Sequence, residues 1–280
     1  MIYLPCITFP TGNEEIEYIK KWGGSSYPYN VLSSFGLAKI DFDSVTILYG
    51  NNGSGKSTVL NIIAEKANIS RDSIYNKSSC FPDYVNMCEI NISQKMPENS
   101  RIITSDDVFD YMLDIRNINE GINLKREDVC KEYLDAKYSD FQLKSAADYD
   151  RLKEVMEARR KTQTKFAKNR LMGNIKEWSN GETAYGYFIE KIGENGLYIL
   201  DEPENSLSPK RQLELKSFIE DSVRFFGCQF IISTHSPFLL AMRGAKIYDL
   251  DERPVITKRW TELENVRLYR DFFVLNDNEF

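Results

Sequence analysis

The stretch GNNGSGKST, from Gly50 to Thr58, contains the pattern G-x-x-x-x-G-K-[ST] and governs how the fold is interpreted. The apolar segment Val45–Tyr49 precedes it directly, and the segment STVLNIIAEKA, which has helical character, begins at Ser57. A strand, a glycine-rich loop and a helix in this order surround phosphate oxygens with backbone amides, and the helix N-terminus adds positive potential. A chance glycine turn is the alternative, but the flanking strand and helix favour a phosphate loop.

Two side chains of this loop have specific expected roles. Lys56 is expected to reach the β- and γ-phosphates of a nucleotide, and the Ser57 hydroxyl is expected to bind Mg²⁺. The residues predicted to contact the nucleotide in this loop are Gly50, Asn51, Asn52, Gly53, Ser54, Gly55, Lys56, Ser57 and Thr58.

Two consecutive carboxylates end a second apolar strand, in the segment LYILDEPE from Leu197 to Glu204. Asp201, at the tip of that strand, can hold Mg²⁺ opposite Ser57, usually through the waters of the ion. Glu202 lies one residue further, where a carboxylate beside the γ-phosphate can accept the proton of an attacking water. Acidic pairs also follow strands in ordinary loops, so the catalytic interpretation depends on the phosphate loop in the same chain.

The segment STHSP, from Ser233 to Pro237, also ends a strand and contains His235, the only histidine of the chain. A lone histidine is more often an ordinary core or surface residue. We expect this strand to lie near the strand that ends at Asp201, and ligands bind at the carboxyl ends of such strands. A neutral imidazole there can donate a hydrogen bond to the γ-phosphate and fix the attacking water. Glu202 and His235 are therefore the predicted catalytic residues.

The composition indicates a globular protein and argues against several classes of function. The chain has 280 residues, 42% of them hydrophobic and 28% charged, and its net charge of −6 gives no overall attraction to nucleic acid. The five cysteines form no C-x-x-C pair, so we expect free thiols in a reducing cytoplasm and no zinc site. We expect neither a signal peptide nor a membrane span, because the N-terminus lacks a basic region and no apolar run reaches about 18 residues.

Three regions with different patterns divide the chain, which we expect to form one domain over residues 1–280. Residues 1–68 hold short apolar runs and the phosphate loop, and residues 69–176 are more polar and mostly helical. Residues 177–280 alternate helices and strands, with the strands GLYIL and CQFIIS on either side of the helix SPKRQLELKSFIEDSVRFF. This alternation predicts an α/β fold in which helices pack on a mostly parallel sheet.

The segment WSNGE, from Trp178 to Glu182, begins a helix. Ser179 is a good N-cap, and Glu182 lies at the capping-box spacing from it. The Ser179 hydroxyl and the amides near Gly181 form a helix N-terminus that attracts anions and suits a γ-phosphate. The segment alone does not separate a simple helix cap from a phosphate-binding turn.

In this order, the phosphate loop, SNGE, LYILDEPE, NSLS and STHSP resemble the motifs of the ATP-binding-cassette (ABC) ATPases. Within that family the chain most resembles the heads of the SMC, RecF and OLD branch, which tend to carry S-x-G-E, and it is similar to small stand-alone bacterial ATPases of that branch. The similarity is strong over about residues 40–68 and 177–250 and weak elsewhere. It implies a P-loop NTPase fold with an N-terminal β region and a helical lobe inserted between the phosphate loop and the signature motif SNGE.

The resemblance also implies an activity and an assembly. It implies an ATP-hydrolysing protein with ATP and Mg²⁺ as cofactors. In this family two heads meet head to tail, so Ser179 and Gly181 would act in trans and close the phosphate loop of a second copy. The residues that match the D-loop, which crosses such an interface beside the catalytic glutamate, are Asn205, Ser206 and Leu207.

The biological role implied by the resemblance is DNA repair or maintenance, or bacterial anti-phage defence, together with a partner effector protein. A non-catalytic module that ATP switches for partner binding is the alternative. A transporter subunit is less expected, because the segment after the signature, TAYGYFIEKIG, is aromatic and apolar rather than rich in Gln and Arg.

Two features of the family are not obvious in this chain. The glutamine loop, which senses Mg²⁺ in the family, would lie near RIITSDDVF, where Asp106 or Asp107 follows a strand; Gln94 is an alternative at shorter spacing. The adenine-stacking aromatic could be Tyr27 or Tyr29, although aromatic residues in such a region are more often part of the core.

A basic segment precedes the signature motif. Residues 151–176 contain nine Lys or Arg and two Glu, in a chain that is acidic overall. Either the segment is a solvated helix face, or it contacts nucleic acid or an acidic partner. Nucleic-acid binding by such a segment would be independent of sequence and strongly dependent on salt.

Overall fold

The computed structural model describes residues 1–22, 27–75, 77–139, 149–168 and 180–279. The chain divides into two compact units. Unit 1 comprises Met1–Phe109 and Asn180–Phe280, and unit 2 comprises Asp110–Ser179. Unit 1 contains the phosphate loop and the DEPE and STHSP segments, so most of the predicted site residues belong to it.

Unit 1 contains two β-sheets in the described part of the chain. Their strands are β1 (Cys6–Thr8), β2 (Lys39–Asp41), β3 (Val45–Tyr49), β4 (Glu89–Asn91), β5 (Arg101–Thr104), β6 (Leu197–Asp201), β7 (Gln229–Ser233), β8 (Lys246–Asp249) and β9 (Ile256–Lys258). A small antiparallel sheet has the order β2-β1-β4, and a larger sheet has the order β5-β6-β7-β3-β8-β9. Neighbours in the larger sheet pair in parallel except β8 and β9. The predicted α/β fold with a mostly parallel sheet is therefore confirmed.

The central strands of the larger sheet are buried, as their apolar sequences predict. β3 and β7 are buried at every position, and β6 is buried at every position except its last. Continuous burial of this kind is typical of parallel strands that are covered on both faces. The polar residues of these segments come at the carboxyl ends, where the chain leaves the core.

Helices connect the strands. The described helices are α1 (Gly12–Trp22), α2 (Lys56–Lys66), α3 (Phe81–Met87), α4 (Ser105–Lys137), α5 (Tyr149–Arg160), α6 (Gln163–Lys168), α7 (Asn180–Lys191), α8 (Pro209–Phe225), α9 (Pro237–Leu240) and α10 (Glu264–Leu275). Helix α2, which follows the phosphate loop, buries Val59, Leu60 and Ile63 in the main core and gives the loop a rigid support. None of the helices in the described ranges has the length and apolar character needed to cross a membrane.

Part of the segment that the sequence analysis assigned to a helical lobe lies in unit 1. Residues 69–109 contribute β4, which pairs with β1, and β5, which pairs in parallel with β6. The apolar pair Ile102 and Ile103 is buried in β5, and Thr104 and Asp107 form a capping box that starts α4 immediately afterwards. Strands this short leave little apolar pattern in a polar segment.

Unit 2 has a small apolar core within its described residues. Tyr133 and Ala136 of α4 pack with Val155 and Ala158 of α5 and with Phe166 of α6. The Tyr133 hydroxyl donates a hydrogen bond of 3.1 Å to the Lys161 carbonyl oxygen. The described part of unit 2 is helical, in line with the polar helical pattern of its sequence.

Candidate nucleotide-binding site

Three polar segments meet at the carboxyl ends of adjacent strands. β7 lies between β6 and β3, and Ser233 at its end is the register partner of both Asp201 and Leu48. The phosphate loop after β3, the carboxylates after β6 and the STHSP segment after β7 therefore share one edge of the sheet. This edge is where parallel α/β proteins bind their ligands.

Two glycines allow the phosphate loop to adopt a backbone conformation that other residues would disfavour. Gly55, the residue before α2, has a φ of 87°, and a Cβ on Gly50 would lie 2.5 Å from the Ser54 Oγ. Glycine is therefore required at both positions, and the loop can turn its amides inward as a concave anion-binding nest. The Ser54 hydroxyl is buried and has no hydrogen-bond partner in the described part of the chain. An orphaned hydroxyl in such a loop fits a phosphate oxygen.

Lys56 is folded back across this loop. Its side chain is 4% exposed, and its Nζ donates to the carbonyl oxygens of Gly50 at 2.6 Å and Asn51 at 3.2 Å. Burial lowers the pKa of Lys56, while the nearby Glu202 and Asp201 carboxylates act in the opposite direction. A buried ammonium with two carbonyl partners fits the negative charge of a triphosphate well.

The predicted Mg²⁺ ligands Ser57 and Asp201 line the same cavity. The Ser233 hydroxyl donates a hydrogen bond to the Asp201 carboxylate. Burial raises the pKa of Asp201, and the neighbouring Ser233 and Ser57 hydroxyls partly oppose that effect. Hydroxyl and carboxylate oxygens are the donors that Mg²⁺ prefers, so this pair fits the expected ion.

Glu202 and His235 lie beside each other. The Glu202 backbone has a left-handed conformation with a φ of 48°, and its amide donates to the Ser233 carbonyl oxygen at 3.1 Å and to the Ser233 Oγ at 3.0 Å. This geometry places the Glu202 Oε1 3.6 Å from the His235 Nε2 and 3.8 Å from the Lys56 Nζ. Burial first, and then the Lys56 charge, lower the pKa of His235, so its imidazole is neutral at pH 7.

Residues that the sequence analysis did not assign to the site support these two. The Glu204 Oε1 accepts a hydrogen bond of 2.6 Å from the His235 amide, and burial raises the pKa of Glu204. Gln212 of α8 accepts from the Ser236 hydroxyl at 2.7 Å and donates to the Leu207 carbonyl oxygen at 2.8 Å. The segment after β7 and the expected D-loop are thus joined through one side chain. The DEPE and STHSP motifs contain Glu204 and Ser236, but nothing in the sequence marks Gln212.

The structure separates the three candidates for the glutamine-loop position. Asp106 lines a cavity of about 360 Å³ together with Ser57 and Asp201. The Asp107 Oδ2 instead accepts hydrogen bonds from the Thr104 amide and hydroxyl at 2.6 and 2.9 Å, as part of the cap of α4. Gln94 is exposed and follows β4 in the small sheet. Of these residues, Asp106 is the one that lies with the expected Mg²⁺ ligands.

The two tyrosines proposed for adenine stacking have different surroundings. Tyr27 lines the same cavity, and its hydroxyl lies 3.3 Å from the Thr58 Oγ1 at the end of the phosphate loop. Tyr29 is 2% exposed and stacks on Tyr18 with ring centroids 4.8 Å apart. Tyr29 is therefore a core residue, whereas Tyr27 stacks on Phe81, with ring centroids 6.2 Å apart, and also lines the cavity beside the phosphate loop.

Three further residues near the loop were missed by the sequence analysis. The Arg71 guanidinium lies 3.9 Å from the ring centroid of Tyr75, and both residues line the cavity. On the other side, the Asp251 carboxylate accepts from the Asn51 amide at 2.9 Å and so anchors the loop to the turn after β8. No sequence motif includes Arg71 or Tyr75, and the only indication of Asp251 in the sequence is that it is a carboxylate after an apolar strand.

The signature motif is partly described. Ser179, and with it the predicted capping contact to Glu182, lies outside the described residues, whereas Gly181 and Glu182 are in the first turn of α7. A Cβ on Gly181 would lie 3.7 Å from the Ser208 amide nitrogen and 3.8 Å from the Ser206 carbonyl oxygen. The start of α7 therefore packs beside the segment that matches the D-loop.

Solved structures to which the chain is similar include SMC heads and ABC cassettes. An SMC head domain from Thermotoga maritima has 12% identity and a TM-score of 0.40, with 89% of this chain and 94% of that chain covered. An Smc head domain with an extended coiled coil, bound to the C-terminal domain of ScpA and derived from Pyrococcus furiosus, has 14% identity and a TM-score of 0.43, with both chains fully (100%) covered. The dimeric ATP-binding cassette MJ0796 bound to ADP and Pi has 15% identity and a TM-score of 0.37, with 80% and 90% covered.

Two family models match the sequence, and no curated protein sequence does. The model described as "AAA domain, putative AbiEii toxin, Type IV TA system" matches residues 179–241, from the signature motif to the end of α9. The model described as "ABC transporter" matches residues 38–205, from β2 through the phosphate loop to the segment after β6. Because this second match covers more than half of the chain and includes the phosphate loop, Asp201 and Glu202, the chain belongs to the ABC family of nucleotide-binding domains.

Proposed function

We propose that this chain binds ATP with Mg²⁺ and hydrolyses it at the edge of the larger sheet. The observation that carries the proposal is the position of Glu202, whose carboxylate lies 3.8 Å from the Lys56 Nζ and 3.6 Å from the His235 Nε2. A carboxylate held between a phosphate-loop lysine and a neutral imidazole is placed to act on a water beside a γ-phosphate.

Each residue has a distinct role in this proposal. Lys56 and backbone amides of the phosphate loop hold the β- and γ-phosphates, and Ser57 and Asp201 hold Mg²⁺. Bound Mg²⁺ neutralises charge on the phosphate oxygens. Glu202 accepts a proton from the attacking water, and the neutral His235 donates a hydrogen bond from Nε2 to the transferred phosphate.

Replacement of Glu202 by glutamine tests this function. Glu202→Gln removes the proton acceptor but nearly keeps the shape, so phosphate release should fall by about 10²–10⁴-fold while ATP affinity is retained. Glu89→Gln, on the exposed face of β4, is the matched control and should be unaffected. Phosphate release by Glu202→Gln at the parental rate would exclude Glu202 as the base.

We further propose that two copies share their sites head to tail, with Ser179 and Gly181 of one copy closing the phosphate loop of the other. The proposal is supported by the motif order and by the position of Gly181 in the first turn of α7, where free amides attract anions. ATP would then join two heads and hydrolysis would release them. Asn205 of the expected D-loop donates to the Glu202 Oε2 at 3.0 Å, which would tie dimer closure to the base.

The biological setting that we propose is bacterial defence or DNA maintenance in the cytoplasm, with a partner effector protein. The match of residues 179–241 to a family model named after a toxin of a type IV toxin–antitoxin system supports the first of these. The motif resemblance to the SMC, RecF and OLD heads supports the second. Co-purification from native cells, with bound protein and nucleic acid identified, would separate them.

Nucleic-acid binding through residues 151–176, of which 169–176 lie outside the described residues, is the alternative to a solvated helix face. Local partners take up some of the basic charge: Arg151 pairs with Glu154 at 2.8 Å, and Lys161 with Glu157 at 2.7 Å. These contacts favour a solvated helix face. DNA retention by the parent protein that falls steeply with salt, and that is lost on replacement of Arg159 and Arg160 by glutamate, would favour the DNA contact instead.

A second candidate function is an ATP-switched binding module in which turnover is incidental. The observation that favours it is the number of exposed apolar side chains on α10, among them Leu268, Tyr269, Phe272, Val274 and Leu275, which are 52–81% exposed. Contiguous exposed apolar side chains commonly mark protein interaction sites. ATP-dependent dimerisation of a parent protein whose phosphate release does not exceed that of Glu202→Gln would support this function over the first.

A further inference from the structure

Helix α10 begins beside the proposed catalytic histidine. Leu263, the residue before the helix, is fully buried, and Val266 in the first turn is also buried. The preceding turn is closed by the Glu262 carboxylate, which accepts from the Arg259 amide at 3.0 Å. These contacts fix the first turn of α10 in place, and Asn265 lies in that turn.

Asn265 joins α10 to the end of two strands. Its Nδ2 donates to the His235 carbonyl oxygen at 3.0 Å, and its backbone amide donates to the Tyr49 hydroxyl at 3.4 Å. The Tyr49 ring in turn packs edge-on against the imidazole of His235, with ring centroids 6.3 Å apart. Both the backbone and the ring of His235 are therefore linked to the same turn of α10.

The orientation of His235 depends on such backbone contacts. In the described part of the chain, its Nε2 is buried without a hydrogen-bond partner and points toward the Glu202 carboxylate at 3.6 Å. The backbone around it is held on both sides, by Glu204 at the amide and by Asn265 at the carbonyl oxygen. Because Nε2 has no hydrogen bond of its own among the described residues, its direction depends on the Tyr49 ring that packs against the imidazole and on the peptide units that carry the ring.

We infer that Asn265 is a positioning residue for hydrolysis, which acts by holding the His235 peptide so that Nε2 faces the reacting phosphate and Glu202. This inference rests on the proposed ATPase function and assigns a role in it to α10, a helix outside all the recognised motifs. The hydrogen bonds of Asn265 in the described part of the chain go to His235 and to Tyr49, the residue before the phosphate loop, and not to the loop itself. Loss of Asn265 should therefore slow turnover and leave nucleotide binding intact.

A purely structural role for Asn265 predicts a different effect of its removal on kcat. A side-chain amide that only fastens a helix end contributes to the free energy of unfolding, and its removal lowers kcat only as far as it lowers the folded fraction. Helix α10 offers a matched control, because the Asn276 Nδ2 donates to the Phe272 carbonyl oxygen at 2.7 Å at the far end of the helix. Asn276→Ala removes the same kind of hydrogen bond away from His235.

The experiment compares kcat, KM and the dissociation constant for ATP in the parent, Asn265→Ala and Asn276→Ala proteins at a temperature where all are folded. Asn265→Ala should lower kcat by about 10- to 100-fold and leave the dissociation constant within about twofold, whereas Asn276→Ala should leave both unchanged. Asn265→Asp, which keeps the size but cannot donate from the side chain, should behave like Asn265→Ala and serves if the alanine variant does not fold.

A double-mutant cycle with His235→Ala shows whether Asn265 acts through the histidine. When His235 is absent, Asn265→Ala should have almost no further effect on kcat. An equal loss of kcat in both backgrounds would overturn the inference, as would parental kcat in folded Asn265→Ala and Asn265→Asp. A parent protein without any ATPase activity would overturn the proposed function itself, and the inference with it. An active parent whose kcat is unchanged by replacement of Asn265 would overturn the inference alone.

Discussion

Ser233 and Asp201 are register partners at the ends of two neighbouring parallel strands, and the Ser233 hydroxyl donates a hydrogen bond to the Asp201 carboxylate. The same hydroxyl accepts from the Glu202 amide at 3.0 Å. The Ser233 side chain therefore sets the positions of Asp201, the expected Mg²⁺ ligand, and of Glu202, the expected base. Ser233 is also the first residue of the segment STHSP, which contains His235.

Loss of the Ser233 hydroxyl should weaken Mg²⁺ binding. Ser233→Ala removes a hydrogen bond that orients Asp201 and one that fixes Glu202, and partners of this kind typically alter metal affinity by about 10- to 100-fold. The half-saturating Mg²⁺ concentration for ATP hydrolysis should rise by about tenfold or more. Ser217→Ala, which removes an exposed hydroxyl on α8, is the control. An unchanged Mg²⁺ requirement in Ser233→Ala would show that Asp201 does not depend on this bond.

Much of this site follows from the sequence because its residues lie in contiguous motifs. The phosphate loop and the DEPE and STHSP segments each follow a buried apolar run, and parallel strands bring their carboxyl ends together. Gly50 and Lys56 have the spacing of the pattern G-x-x-x-x-G-K-[ST], and few structures other than a phosphate loop explain that pattern after a strand. The common location of Asp201, Glu202 and His235 at one edge therefore follows from the type of sheet, while their chemical roles stay predictions.

The remaining site residues could not be predicted, because they depend on contacts between distant segments. Asn265 reaches His235 from a helix that begins after β9, and Asp251 reaches Asn51 from the turn after β8. No local pattern encodes such contacts. Similarly, the choice between Asp106 and Asp107 depended on which of the two carboxylates caps α4, and both positions follow the same strand.

Replacement of glycine by alanine should abolish ATP binding at Gly50 but increase the stability of the fold at Gly186. A Cβ on Gly50 would lie 2.5 Å from the Ser54 Oγ and 2.9 Å from the Ser54 Cβ, so Gly50→Ala should distort the phosphate loop and abolish detectable ATP binding. A Cβ on Gly186, inside α7, meets no atom within 4 Å, so Gly186→Ala should raise the free energy of unfolding by about 0.5–1 kcal/mol and keep ATP binding. Titration with ATP and denaturant unfolding measure the two effects. Normal ATP affinity in Gly50→Ala would contradict the described loop geometry.

The lowered pKa of His235 should appear in the pH dependence of stability. Because the folded state holds the imidazole neutral below its ordinary pKa of 6.5, the unfolded state binds the proton first as the pH falls. The stability contributed by the neutral form is therefore present above 6.5 and is lost below it, down to the folded-state pKa. Denaturant unfolding at about pH 7.5 and pH 5.5 should show a larger loss for the parent than for His235→Gln.

Two buried carboxyl groups act in the opposite direction in the same measurement. Burial raises the pKa of Asp201 and of Glu204, so the folded state gains stability from them as the pH falls. Both proteins retain these groups, so the comparison of parent with His235→Gln leaves the histidine contribution. An equal loss of stability in the two proteins would indicate that His235 titrates in the folded state as it does in the unfolded state.

If each ATPase site is completed by a second copy of the chain, as we propose, a mixing experiment tests this sharing most directly. Lys56→Ala disables the phosphate loop of its own chain, and Ser179→Arg disables the signature that the chain lends to a partner, so each homodimer has two dead sites. A heterodimer has one site with intact Lys56 and Ser179 and another with both lesions. We predict that the mixture regains ATP hydrolysis that neither variant shows alone, in proportion to the heterodimer present. A mixture that forms no ATP-dependent heterodimer and stays inactive, while the parent is active, would contradict the shared site and return Ser179 to the role of a helix cap.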